Sequence, residues 1–141
     1  MRRRRFLGLC LAGGAWAAVG CRSAPGDPLA ALVDAILPPG HGLPGAVEAG
    51  VPEYIRRALA EPRFAGVRAL LEDGARALDA RAHGLARLPR AARLEQLAAA
   101  PPRFVAALVD FTIEGYLGHP DRGGNRDGRV WAALAVPIPR P

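Results

Sequence analysis

Apolar residues in this chain recur at helical spacing in short blocks, and prolines and glycines cut the blocks apart before any grows long. Leu29, Leu32, Val33, Ile36 and Leu37 stand at i, i+3, i+4, i+7 and i+8. Asp27 is placed as N-cap, Pro28 takes the first helical position, and Pro38-Pro39 end the run. A second block from Val51 puts Val51, Tyr54, Ile55, Ala58 and Leu59 on one face and closes at Glu61-Pro62. The longest runs from Phe64 to about His83, with Phe64, Val67, Leu71, Leu78 and Ala82 on a stripe. Gly74 inside it marks a close helix contact or a kink, and Gly84 reads as its C-cap. Further helices are predicted from Pro89 to Ala99 and from Pro102 to Leu117, the latter burying Phe104, Leu108, Phe111 and Tyr116. No stretch alternates as a strand would. The expectation is an all-α, orthogonal domain of about five helices, followed by an ordered Gly-rich loop over Gly118–Arg129 with Trp131 and Leu134 as apolar anchors.

Ahead of the helices, Arg2 to Arg5 precede Phe6 and Leu7, and an apolar run follows to Gly20. The string Arg3-Arg4-Arg5-Phe6-Leu7 resembles the twin-arginine signal for export of folded proteins across the bacterial inner membrane, with Arg3, Arg4, Phe6 and Leu7 as its signal residues. A plain secretory signal shares the basic start. A retained span does not fit, because the fifteen residues Phe6–Gly20 include four glycines and a bilayer needs roughly 20 apolar residues. Ala18 to Cys21 resembles a lipobox, which makes Cys21 a lipidation site; cleavage after Ala17 by an ordinary signal peptidase is the alternative. The organisation expected is a signal over 1–20, a tether over 21–27 and a helical domain over 28–137, giving a membrane-anchored lipoprotein in the periplasm.

The charge of the whole chain reflects that leader. All 19 basic residues are arginine, against 13 acidic ones, and loss of the 20-residue leader leaves 121 residues at a formal charge of +2. No basic patch with interleaved aromatics remains to suggest nucleic acid. Cys10 lies in the leader, so the mature chain keeps Cys21 alone, which excludes an intrachain disulfide framework and any cysteine-rich metal site. A chain of this size is one domain, and its Ala-rich, aromatic-poor composition predicts a thin core between close helices that draws part of its stability from a partner.

The residues offer little chemistry of their own. His41, His83 and His119 lack the i, i+4 spacing that sets two ligands on one helix face, and Glu72-Asp73 diverge around a helix. Gly123 to Leu134 places Asn125, Asp127 and Gly128 as a calcium loop would, but Gly123 and Leu134 fall where its first and twelfth ligands are needed. No Gly-rich strand–helix turn for a dinucleotide and no haem-attachment motif is encoded. For an enzyme built on His119 and Asp121, no base, nucleophile and orienting group converge in the sequence.

Two blocks do carry a resemblance. Asp34-Ala35-Ile36-Leu37-Pro38, Leu43-Pro44-Gly45-Ala46, Glu48-Ala49-Gly50-Val51-Pro52 and Tyr54-Ile55 resemble the N-terminal signature of the gluconate 2-dehydrogenase subunit 3 family. Phe111-Thr112-Ile113-Glu114-Gly115-Tyr116, Gly123-Gly124-Asn125-Arg126-Asp127-Gly128 and Trp131 resemble its C-terminal signature. The likeness spans roughly Leu29 to Pro137, and the Ala- and Arg-rich middle adds little to it.

The resemblance implies a small, non-catalytic helical subunit of a periplasmic sugar, polyol or sugar-acid dehydrogenase complex. The large subunit would be a glucose-methanol-choline type flavoprotein holding FAD, and a multihaem cytochrome c subunit a possible third member. The small subunit would bind no cofactor itself and would carry its leaderless partner through the twin-arginine translocase. Tyr54, Tyr116, Asn125, Arg126, Asp127 and Trp131 are the candidate partner-binding residues, with packing within the chain as the alternative for each aromatic, and tying the loop to its own body as the alternative for the Asn125-Arg126-Asp127 turn. Gly115 would let the last helix approach a neighbour. Arg122, Arg129-Val130 and Ala135-Val136 depart from the family pattern, the last pair standing for a Gly and an aromatic. The rival reading is a free-standing helical envelope lipoprotein serving as a binding or structural module.

Overall fold

The computed structural model describes residues 26–137, so the signal residues Arg3, Arg4, Phe6 and Leu7 and the lipidation candidate Cys21 lie outside the described residues. The described chain is all-α, with helices α1 Pro28–Ile36, α2 Val51–Leu59, α3 Ala65–Arg81, α4 Arg90–Ala98, α5 Pro102–Leu117 and α6 Arg129–Ala133. Five of them stand where the periodicity predicts, within two residues at each end. The sixth falls where an ordered loop with Trp131 as an apolar anchor is expected: two 3-10 turns, Pro120–Arg122 and Arg126–Gly128, lead into the five-residue α6.

Helix α1 sits at the centre, packed against α2, α3, α4 and α5. Asp27 caps it, its carboxylate accepting from the Leu29 N–H at 3.0 Å, and Pro28 follows where no amide partner is needed. Leu32, Val33 and Ala35 are fully buried, and Ile55, Leu71, Leu85, Phe104, Leu108 and Val130 close around them. Small residues at Ala30, Ala31, Ala35 and Ala75 keep the helices close, in keeping with a thin core.

The Arg-rich middle of the sequence has a definite structural task. Arg90 Nε on α4 donates to the Ala35 carbonyl at 2.8 Å, and Arg93 Nη1 donates to the Ala31 carbonyl at 3.1 Å and reaches Asp34 at 3.4 Å. Positive charge thereby meets the negative end of α1.

Gly74 marks a helix contact. A Cβ there would fall 2.2 Å from Phe104 Cδ2, so α3 and α5 can approach only because position 74 carries no side chain. The end of α3 differs slightly from expectation, since His83 takes the left-handed conformation (φ 52°). The Gly84 N–H then reaches back to the Asp79 carbonyl at 3.0 Å, and the His83 N–H to Ala80 at 3.3 Å. That is a Schellman closure with His83 in the position glycine usually fills.

Candidate partner interface

The connection between α1 and α2 and the segment after α5 are far apart in sequence and meet in space. In the first, Gly40 and Leu43 exchange backbone hydrogen bonds around His41 and Gly42, both at positive φ, and Glu48 accepts from the Gly45 N–H at 3.0 Å. Gly50 then opens α2 at φ 80°, a conformation that costs glycine nothing. These turns set Tyr54 and Ile55 inward, at 6 and 0 % exposure.

The C-terminal segment folds back over that connection. The Arg126 N–H donates to the Ala49 carbonyl at 2.9 Å, and Tyr116 donates its hydroxyl to the Pro44 carbonyl at 2.6 Å. A Cβ on Gly115 would lie 2.6 Å from Tyr54 Cδ1, and one on Gly124 would lie 2.0 Å from the Gly115 carbonyl oxygen. The loop backbone is therefore laid flat on the last turn of α5. Asn125 holds it there: its amide donates to the Gly118 carbonyl at 3.2 Å and accepts from the Val130 N–H at 2.8 Å. It is fully buried and left-handed at φ 43°, a conformation in which asparagine is several-fold enriched. Trp131 Nε1 donates to the Leu117 carbonyl at 2.8 Å, so side chains of this segment satisfy carbonyls that the end of α5 leaves open.

The candidate residues thus divide. Tyr54, Tyr116 and Asn125 direct their side chains into their own fold. Arg126 remains partly exposed and reaches Glu53 at 3.6 Å, Asp127 is exposed, and Trp131 is half-buried with His119 edge-on to its ring at 5.5 Å. Burial, followed by the hydrogen bond to and charge of Glu114, pushes the Tyr54 phenol well above its ordinary pKa; burial and the charge of Glu48 push that of Tyr116 upward.

The family model for gluconate 2-dehydrogenase subunit 3 matches residues 26–137. The chain belongs to that family. No curated protein and no solved structure matches it. The two blocks that carry the subunit 3 resemblance are those joined through Arg126–Ala49, Tyr116–Pro44 and Gly115–Tyr54. Among the described residues no group of three or more His, Cys, Asp or Glu side chains could hold a metal ion. His119 and Asp121 meet at 3.4 Å on the surface, where the imidazole also accepts from the Asp121 N–H at 3.3 Å and so caps the turn that follows.

Sequence reasoning passed over two features of this subunit's surface. One is an apolar edge of α5 made by Ile113 and Leu117, one turn apart, and like Leu134 and Val136 after α6 they are each between 43 and 46 % exposed. The other is a cleft of about 540 Å³ between α2 and the C-terminal segment, with Arg56, Arg57 and Arg126 on its walls. The spacing of Ile113 and Leu117 on the side opposite Gly115 and Thr112 was the available signal for the first.

Proposed function

We propose that this chain is the non-catalytic small subunit of a periplasmic, membrane-associated FAD-dependent dehydrogenase of the glucose-methanol-choline type, and that it acts by carrying and stabilising the catalytic subunit. The observation that supports this most is the subunit 3 family match over the whole described domain, 26–137, beside a twin-arginine-like leader that lies outside it. The surface agrees: four large apolar side chains stand half-exposed around the C-terminal segment, the composition expected of a face that a partner covers. FAD would reside in the large subunit, and a multihaem cytochrome c subunit would receive its electrons.

The escort role follows from the chemistry of the partner. A flavoprotein acquires its cofactor before export and must cross folded, whereas a small helical domain has no such need. A folded-export signal on the small chain therefore serves the large one. Replacing Arg3 and Arg4 by Lys is expected to leave both this chain and the flavoprotein in the cytoplasm, read by fractionation and flavin absorbance. Normal export of the flavoprotein in that variant sinks the escort role, and purification of the wild-type chain without any flavoprotein favours the free-standing lipoprotein.

A further inference from the structure

We propose that Arg57 is the docking point for an aspartate or glutamate side chain of the large subunit, received in the cleft between α2 and the C-terminal segment. The inference rests on the accessory-subunit reading above. Three arginines line this cleft, Arg56, Arg57 and Arg126, against two carboxylates, Glu53 and Asp127. Arg56 is paired with Asp27, Arg126 reaches Glu53 at 3.6 Å, and Asp127 lies 3.9 Å from Arg129. Arg57 is left over. Among the described residues it forms no ion pair, and its Nη1 makes one hydrogen bond, 3.2 Å to the Arg122 carbonyl.

Its guanidinium, though exposed, lies against backbone. Gly123, at φ 91°, lies directly beneath the guanidinium, where a Cβ would come within 2.0 Å of Arg57 Nη1. The glycine clears a seat, and the carbonyl of Arg122 holds one edge of the group in it. A guanidinium has five N–H donors in a planar fork, so a held Arg57 with most of them unspent is pre-set for two-point recognition of a carboxylate. The surroundings favour a protein carboxylate over a small free anion. Pro120 at the cleft adjoins His119, which packs on Trp131, and Trp131 is bonded to Leu117 on the apolar edge. A charged anchor beside an apolar strip is the layout of a protein interface, with the strip covered and the charge toward its rim.

The test uses the complex extracted from native membranes through a tag on this chain, with retained flavoprotein quantified by flavin absorbance. Arg57→Glu is expected to lower retention about 10- to 100-fold, and raising the salt concentration should weaken the wild-type complex more than it weakens an Arg57→Gln complex. Arg76→Glu, on an exposed stretch of α3, serves as the control and should retain the partner as wild type does. Thermal melting of each variant reports folding, and should Arg57→Glu melt early, Arg57→Gln is read for retention in its place. Equal retention by wild type and the folded Arg57 variant overturns this inference alone, as does an equal loss with Arg76→Glu. A wild-type chain that retains no flavoprotein overturns the accessory-subunit reading and this inference with it.

Discussion

At the scale of single residues, Asn125 does more than any other polar side chain to hold the C-terminal segment. It is fully buried, bonds two backbone groups on either side of it, and sits in a left-handed conformation. Asn125→Ala strands the Gly118 carbonyl and the Val130 N–H and adds backbone strain. The expected loss is about 2–3 kcal/mol, measured by chemical denaturation, with faster amide exchange at Val130 as the local signature. Tyr54 supplies a pH signature. Its phenol is raised in the folded state, so the contribution is complete below its ordinary pKa of about 10 and is lost as pH climbs from there toward the raised value. The chain contains no lysine, and its arginines stay charged, so the two tyrosines dominate that window. Stability is expected to fall above pH ~10, and Tyr54→Phe should flatten the decline; an unchanged alkaline slope in that variant would remove Tyr54 as its cause.

At the scale of elements, close approach is the governing constraint. Gly74→Ala would improve the helix propensity of α3 by about 1 kcal/mol, yet the new methyl group would overlap the Phe104 ring. Overpacking of this kind costs about 1–3 kcal/mol, so a lowered melting temperature is expected, and a rise would show that α3 and α5 can separate freely. The helices themselves were legible because proline states their starts: Pro28 and Pro102 open α1 and α5 where expected, and apolar spacing supplies the buried faces. Helix α6 was not legible. Five residues carry no period, and the signals before it, Gly123, Asn125, Asp127 and Gly128, all at positive φ, read correctly as turns while hiding that the turns lead into a helix. The site was half legible for a related reason. Gly115 is legible as a close-approach position, whereas the turn at Asn125 carries two readings, a partner contact or a tie to its own body, and the fold decides for the tie by showing Asn125 closing the end of α5. The departure at Ala135 acquires a physical meaning too: it takes φ 56° while the Val136 N–H bonds the Trp131 carbonyl at 2.8 Å, so alanine occupies the left-handed place that glycine fills without strain.

At the scale of the whole molecule, attachment and assembly are separable. Among the described residues no helix is long and apolar enough to cross a membrane. A lipid on Cys21 would supply about 0.8 kcal/mol per buried CH₂, and Cys21→Ser is then expected to shift the chain, with the flavoprotein proposed as its partner, from the membrane to the soluble periplasmic fraction. A lipid-free wild-type mass, or cleavage after Ala17, would end that expectation. The joining of the two signature blocks bears on timing as well. Tyr116 and Pro44 are 72 positions apart, and the Arg126–Ala49 bond spans a similar length of chain. Contacts of such separation close only after the intervening chain is available. During synthesis the residues that fasten the domain leave the ribosome last, so α1 to α4 are made while the body is still open. The final stretch of the chain therefore acts as a clock: until Trp131 emerges, the two ends of the domain stay unfastened.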